Sequence, residues 1–280
     1  MPRRHVITDA QFDRLLALPT GEADLIRHYT LSQEDLDVIA RRRRPQNRLG
    51  FALQLCALRY PVLHDSAMVP RLLDYLTVQV SEMFRDPSYF RAIREQVVPH
   101  LRTYPSLKVW IAGCSSGEEL HSFAILFHEE GLLDRTLFYA TDINPGALEA
   151  AASGVYALDL IKVFTENHQK SGGKSSLSDY YTTAYGRAVF DKTLRSRVVF
   201  SDHSLVTDAV FAEVQLVSCR NVLIYFDRSL QSRALGLFRD SLARKGCLGL
   251  GSKESLRFSD HADAFTEFVR AEKIYQRRGL

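Results

Sequence analysis

Cysteine is scarce in this 280-residue chain: Cys56, Cys114, Cys219 and Cys247 stand far apart in apolar surroundings, and none forms a C-x-x-C pair. That usage argues against a disulfide framework and suits a reducing cytoplasm. Long apolar runs are missing as well. No stretch reaches the roughly 18 residues a membrane span needs, and the first residues lack the apolar core and cleavage site of a secretory leader. A soluble cytoplasmic protein without membrane insertion is expected. Residues 1–62 contain no lysine at all but ten arginines against seven acids, so this quarter holds the entire net charge of +3 and leaves 26 basic and 26 acidic residues for the remainder. So small an excess does not by itself argue for nucleic acid, although its placement marks the first quarter as a segment of different origin or partner. The nine histidines are scattered. His121 and His128 share one expected helix, but no third ligand is spaced to complete a shell, and no metal is expected.

What is present is enough apolar residue, 46% of the chain, for one substantial core and a small appendage. From Asp9 to Tyr60 apolar residues recur every three or four positions (Phe12, Leu15, Leu16; Leu36, Ile39), which predicts short helices closed by Pro45 and Pro61. The helical rhythm resumes over 70–101. From Lys108 it gives way to short apolar runs alternating with helices, the signature of a parallel sheet with crossover helices. Strands are expected at Val109–Ala112, Leu137–Thr141, Arg197–Phe200, Glu213–Ser218, Cys247–Leu250 and Phe268–Tyr275. Helices are expected to start near Glu118, Gly146, Arg228 and Ser259. This divides the chain into a helical segment (1–62), a helical linker (63–107) and an α/β domain (108–280). The Ser/Gly-rich stretch Lys170–Asp179 reads as a loop. Its Gly173-Lys174-Ser175 is no phosphate loop, because His168 stands where the first glycine is required.

Three local patterns carry chemistry. Trp110-Ile111-Ala112-Gly113-Cys114-Ser115-Ser116-Gly117-Glu118-Glu119 is a strand entering a glycine-bearing turn and then a helix. Gly113 and Gly117 would let backbone approach a ligand at the strand's carboxyl end, or would serve packing alone. Ala140-Thr141-Asp142 ends the next strand with an acid, where nucleotide-binding sheets hold ribose hydroxyls, or where a turn is capped. Glu118 and Glu119 stand where a phosphate binder would want amides and a lysine, so the pattern suits a cationic, phosphate-free nucleoside. The third pattern is Val217-Ser218-Cys219-Arg220-Asn221-Val222-Leu223-Ile224-Tyr225-Phe226, with polar residues at the tip of a central strand. These are cleft residues, or Arg220 is a structural partner of an acid.

With Ser81-Glu82-Met83-Phe84-Arg85-Asp86-Pro87, Asp142-Ile143-Asn144 and Gly154-Val155-Tyr156 added, residues 69–280 resemble the CheR family of chemotaxis-receptor methyltransferases. The resemblance implies a Rossmann-like S-adenosylmethionine-dependent methyltransferase sheet with a small antiparallel β subdomain at about 157–200. It implies methyl esterification of glutamate side chains on the cytoplasmic domain of a methyl-accepting receptor, releasing S-adenosylhomocysteine. The methyl donor, with its sulfonium and ammonium, fits the acid-rich turn. Carried over by position, Gly113, Glu119, Asp142, Arg220 and Asn221 would contact the cofactor, with Arg85 reaching in from the helix before the sheet, and Arg85 and Tyr225 would lie beside the transferred methyl. Gln79 and Ser81 fall where the family makes cofactor contacts with Asn and Thr, and Ser204-Leu205 where it makes them with Asn-Leu, so these four are also expected to contact the cofactor. Leu120-His121 replaces the family's Pro-Tyr, which puts the ring packing near the cofactor in question.

Residues 1–62 do not look like the helical domain that opens the family. The run Ala23 to Ser32, Arg41 to Arg44 and Asn47 to Pro61 resembles the start of replicative-transposon transposases, without that enzyme's catalytic acids. A non-catalytic cofactor-binding module is the alternative reading. Methylation of nucleic acid is disfavoured, because the α/β region is charge-neutral and lacks an Asn/Asp-Pro-Pro-aromatic motif.

Overall fold

The computed structural model describes residues 81–257 and 259–279. The transposase-like segment and Gln79 lie outside them. A helical rod opens the described chain: α1 (Pro87–Ala92), a π-helical stretch (Ile93–Val97) and α2 (Val98–Leu101). Pro99 would clash with the carbonyl four residues back in a regular helix. The wider π stretch just before it, where the Val98 amide bonds the Ile93 carbonyl, accommodates the ring. The rod is no exposed connector, for Tyr89, Phe90, Ile93, Val97 and Leu101 are all buried in the core of the sheet that follows.

That sheet has seven strands in the order β6-β2-β1-β7-β8-β10-β9. They are β1 (Leu107–Ala112), β2 (Thr136–Asp142), β6 (Val198–Asp202), β7 (Val214–Cys219), β8 (Leu242–Leu250), β9 (Phe265–Val269) and β10 (Ile274–Arg277). β6, β2, β1, β7 and β8 run parallel, and β10 turns back antiparallel. Alternate residues of β1 feed opposite faces: Val109 and Ile111 join a core with Phe84, Phe90, Phe123 and Phe138, whereas Trp110 and Ala112 join one with Val217, Leu235, Phe238 and Leu248. A strand apolar on both faces is what helices on both faces require. On the first face lies α3 (Glu118–Glu129), whose residues Leu120 to Phe127 are all buried. On the second lies α6 (Arg228–Ser241).

Between β2 and β6 come α4 (Pro145–Ser153), β3 (Val155–Ala157), α5 (Leu158–Lys170), β4 (Tyr181–Ala184) and β5 (Arg187–Phe190). β3, β5 and β4 form a separate three-stranded antiparallel sheet. This is the small β subdomain, with two differences from expectation. One is the helix α5, anchored by Ile161, Phe164 and His168; the other is extent, since the small sheet spans 155–190 and the strand expected at Arg197–Phe200, β6, pairs with β2 in the main sheet as its place among the parallel strands implies. The strand expected over 268–275 is a hairpin, because the chain reverses through Arg270–Glu272 and Lys273 at φ +54°. No helix begins at Ser259; a single 3-10 turn, Ala262–Ala264, stands there.

Candidate active site

The carboxyl ends of β6, β2, β1, β7 and β8 lie side by side, and nearly all the described candidate residues collect along that edge. Past β1 the backbone curls through three left-handed residues, Gly113 (φ +75°), Ser115 (φ +49°) and Gly117 (φ +90°). The amides of Gly113 and Cys114 both donate to the Thr141 carbonyl, at 2.8 and 2.9 Å, which pins the turn to the tip of β2. The space beside both glycines is filled by protein. A Cβ on Gly113 would sit 2.5 Å from a Val222 methyl, and one on Gly117 2.8 Å from the Ala151 Cβ. Close packing of β1's turn against the β7 turn and α4 is therefore one reason for both glycines.

Asp142 closes β2. Its Oδ2 accepts the Ser115 amide at 2.8 Å and its Oδ1 the Asn144 amide at 3.0 Å. A carboxylate offers about four acceptor positions, so this aspartate both caps its turn and keeps capacity for a pair of hydroxyls on the open side. Ser204 and Leu205 follow β6, next to it, where the His203 amide donates to the Asp142 carbonyl at 3.2 Å. Leu205 is buried, and the Ser204 hydroxyl accepts the amides of Val206 and Thr207.

The two glutamates that begin α3 part company. Glu118 is buried; burial raises its pKa, opposed by hydrogen bonds that include the Ser116 and Ser81 hydroxyls. Glu119 accepts the Ser218 hydroxyl at 2.7 Å and the Arg220 guanidinium at 3.1 Å. Arg220, its side chain only 1% exposed, also reaches Asp86 Oδ2 at 2.7 Å and the Arg85 carbonyl at 3.0 Å, and lies 4.1 Å above the Tyr89 ring. It thus ties three elements together: α3, β7 and the turn before α1. That turn contains Phe84 at φ +52° and Asp86 at φ +58°, conformations that non-glycine residues hold only when their surroundings enforce them. Arg220 and the Ser122 hydroxyl, which accepts the Phe84 amide at 2.7 Å, do so. Partly exposed Arg85 lies between the two strained residues. Asn221 follows at φ +60°, and Tyr225 ends a 3-10 turn, Leu223–Tyr225, with 62% of its surface exposed.

Residues that pattern reading passed over complete the edge. Tyr89 hydrogen-bonds Ser218 at 3.0 Å, continuing the chain to Glu119. Glu254, after β8, accepts the amides of Gly251, Asn221 and Val222 at 2.6, 3.2 and 2.9 Å. An acid four residues past the end of the strand expected at Cys247–Leu250 is the signal the sequence offers for it.

A donor-acceptor set of this kind, with acids at one strand tip and in the adjoining turn, suits a ligand with hydroxyls and positive charge. By its family match, the domain built on this sheet is an S-adenosylmethionine-binding methyltransferase domain. The family model described as "CheR methyltransferase, SAM binding domain" matches residues 79–273. The chain belongs to that family. It is 56% identical over 225 residues to a putative methyltransferase, Cher3, of Pseudomonas putida, covering 80% of this chain and 82% of that one. It is 30% identical over 194 residues to a chemotaxis protein methyltransferase of Listeria innocua, covering 69% and 71%. The front of the chain is similar to something else. A domain of unknown function, DUF4158, matches residues 6–102, and the Tn21 transposase of Escherichia coli is 57% identical over 61 residues, 22% of this chain and 6% of that one.

Proposed function

We propose that the chain methylates glutamate side chains on the cytoplasmic domain of a methyl-accepting chemotaxis receptor, and that it works in the cytoplasm. The relatives' chemotaxis names support the receptor. The observation that carries the reading is the Arg220 network, which locks the strained Arg85 turn to the acid-bearing edge. Bound S-adenosylmethionine supplies a methyl group activated by its sulfonium. In this reading Asp142 and Asn221 hold the donor's nucleoside part, with Gly113, Ser81, Ser204 and Leu205 lining it, while Glu119 and Arg220 fix the floor. A glutamate acceptor, with a reference pKa of about 4.3, is already ionised at neutral pH and needs no general base. What it needs is alignment and loss of water. Arg85 grips the carboxylate through its guanidinium fork, and the Tyr225 hydroxyl donates to it from the rim.

The test is to incubate the full chain, labelled S-adenosylmethionine and receptor-bearing membranes. Label that enters a membrane protein and leaves as methanol in alkali is expected, and Arg85→Ala should lower its rate by about a hundredfold or more while S-adenosylhomocysteine still binds. Alkali-stable label, or label on nucleic acid, would refute the ester reading. Binding without any labelling would favour a non-catalytic module.

A further inference from the structure

We infer that Glu254 is a positioning residue of the methyl-transfer site: its carboxylate sets the backbone turn that presents Asn221 and Tyr225. The inference rests on the reading of Asn221 as a cofactor contact. After β7 the chain enters the left-handed region at Asn221 (φ +60°) and leaves it at Val222 (φ −110°). Such a bend points successive amides into one small concavity, a shape that binds anions. Glu254 fills it. Oε2 takes the Asn221 amide at 3.2 Å and Oε1 the Val222 amide at 2.9 Å, while the Gly251 amide closes on Oε2 at 2.6 Å.

With 5% of its surface exposed, Glu254 is in no position to touch substrate. Its influence runs through the turn. The turn it grips also carries the Val222 methyl that sits in the space beside Gly113, so the same carboxylate sets the separation of the β1 and β7 loops on either side of the cleft. Four residues beyond Asn221, the 3-10 turn that ends at Tyr225 continues from this anchor. The site therefore contains two kinds of carboxylate. Asp142 is partly exposed and keeps free acceptor capacity, while Glu254 is spent wholly on backbone.

Glu254→Gln keeps the size but turns an N–H₂ group toward amides that need an acceptor. Calorimetric titration of the full chain with S-adenosylhomocysteine should then show affinity weakened at least about tenfold, with far-UV dichroism unchanged. Asn221→Gly removes the side chain while keeping a backbone that tolerates positive φ. Added to it, Glu254→Gln should cause little further loss, because both act through one contact. Gly251→Ala is the second route: its Cβ would lie 2.8 Å from Glu254 Oε2 and 2.9 Å from the Asn221 amide. It should weaken binding in the same way, and it decides the matter if Glu254→Gln does not fold. Wild-type affinity in both variants, or losses that add fully to that of Asn221→Gly, would overturn the role of Glu254. No binding by the wild-type chain would instead overturn the cofactor reading itself.

Discussion

His121 is buried in the first turns of α3, where the family commonly has the tyrosine of a Pro-Tyr pair. Here it supplies ring packing of its own, edge-on to Tyr156 at 5.5 Å and to Phe190 at 5.6 Å. Its Nδ1 lies 2.9 Å from the Gly117 carbonyl, which only a protonated Nδ1 can satisfy, and Nε2 is left without a partner among the described residues. The Tyr156 hydroxyl beside it donates to the Ser116 carbonyl at 3.0 Å, so this pair of rings joins the turn between β1 and α3 to the small sheet. Burial first, and then Arg195 nearby, pushes the imidazole down to about 4. An unfolded imidazole takes its proton near 6.5, so between that pH and about 4 the unfolded state binds more protons and stability is lost as pH falls. The slope this residue adds approaches about 1.4 kcal/mol per pH unit. Thermal midpoints recorded across this range should flatten in His121→Phe; an unaltered slope would mean that His121 is not the group being titrated.

At the scale of elements, the carboxyl-terminal end of α3 does more than stop. Glu129 accepts Arg94 at 2.6 Å, His168 at 3.0 Å and the Ser175 hydroxyl at 2.7 Å, while Glu130 accepts Arg94 and Lys174. The Ser/Gly-rich stretch that reads as a plain loop is in fact fastened across α5 and the helical rod. Burial opposes the charge on Glu129, but the hydrogen bonds from His168, Ser175 and Arg94 outweigh it and hold the carboxyl at about 2. Because its folded pKa is depressed, the stabilisation is complete above the usual carboxylate range and disappears as pH falls toward 2. Glu129→Ala leaves Arg94 buried with one fewer acid, so a loss of about 3 kcal/mol is expected in denaturant unfolding. Cleavage by a nonspecific protease should shift to 171–176. Unchanged stability would show that Glu130 alone suffices.

At the scale of the molecule, the edge that gathers Asp142, Glu119, Arg220, Asn221 and Glu254 exists only because five parallel strands end together. Helical layers on both faces leave that end open. Ligand binding should therefore be felt by the whole unit. At a hundredfold excess over its Kd, S-adenosylhomocysteine should add about 2.7 kcal/mol and raise the melting midpoint by several degrees, which a thermal-shift series against ligand concentration checks. A midpoint indifferent to the ligand would contradict a binding site on this edge.

The alternation of short apolar runs with helices is set by local periodicity, and so β1, β2, β7 and the start of α3 could be read from residue order, as could the Gly113 to Glu119 turn. Local patterns mislead where they are mixed. α5 keeps a buried stripe of only Ile161, Phe164, Asn167 and His168, and the apolar pairs Phe268-Val269 and Ile274-Tyr275 stand on either side of a reversal, Arg270–Lys273, that turns on the backbone of Lys273. Pairings distant in sequence were decided by tertiary structure alone. Arg220 meets Asp86 across 134 positions, and Asn221 meets Glu254 across 33. No spacing rule links them, because a buried charge is satisfied by whatever the folded strands bring within reach of it.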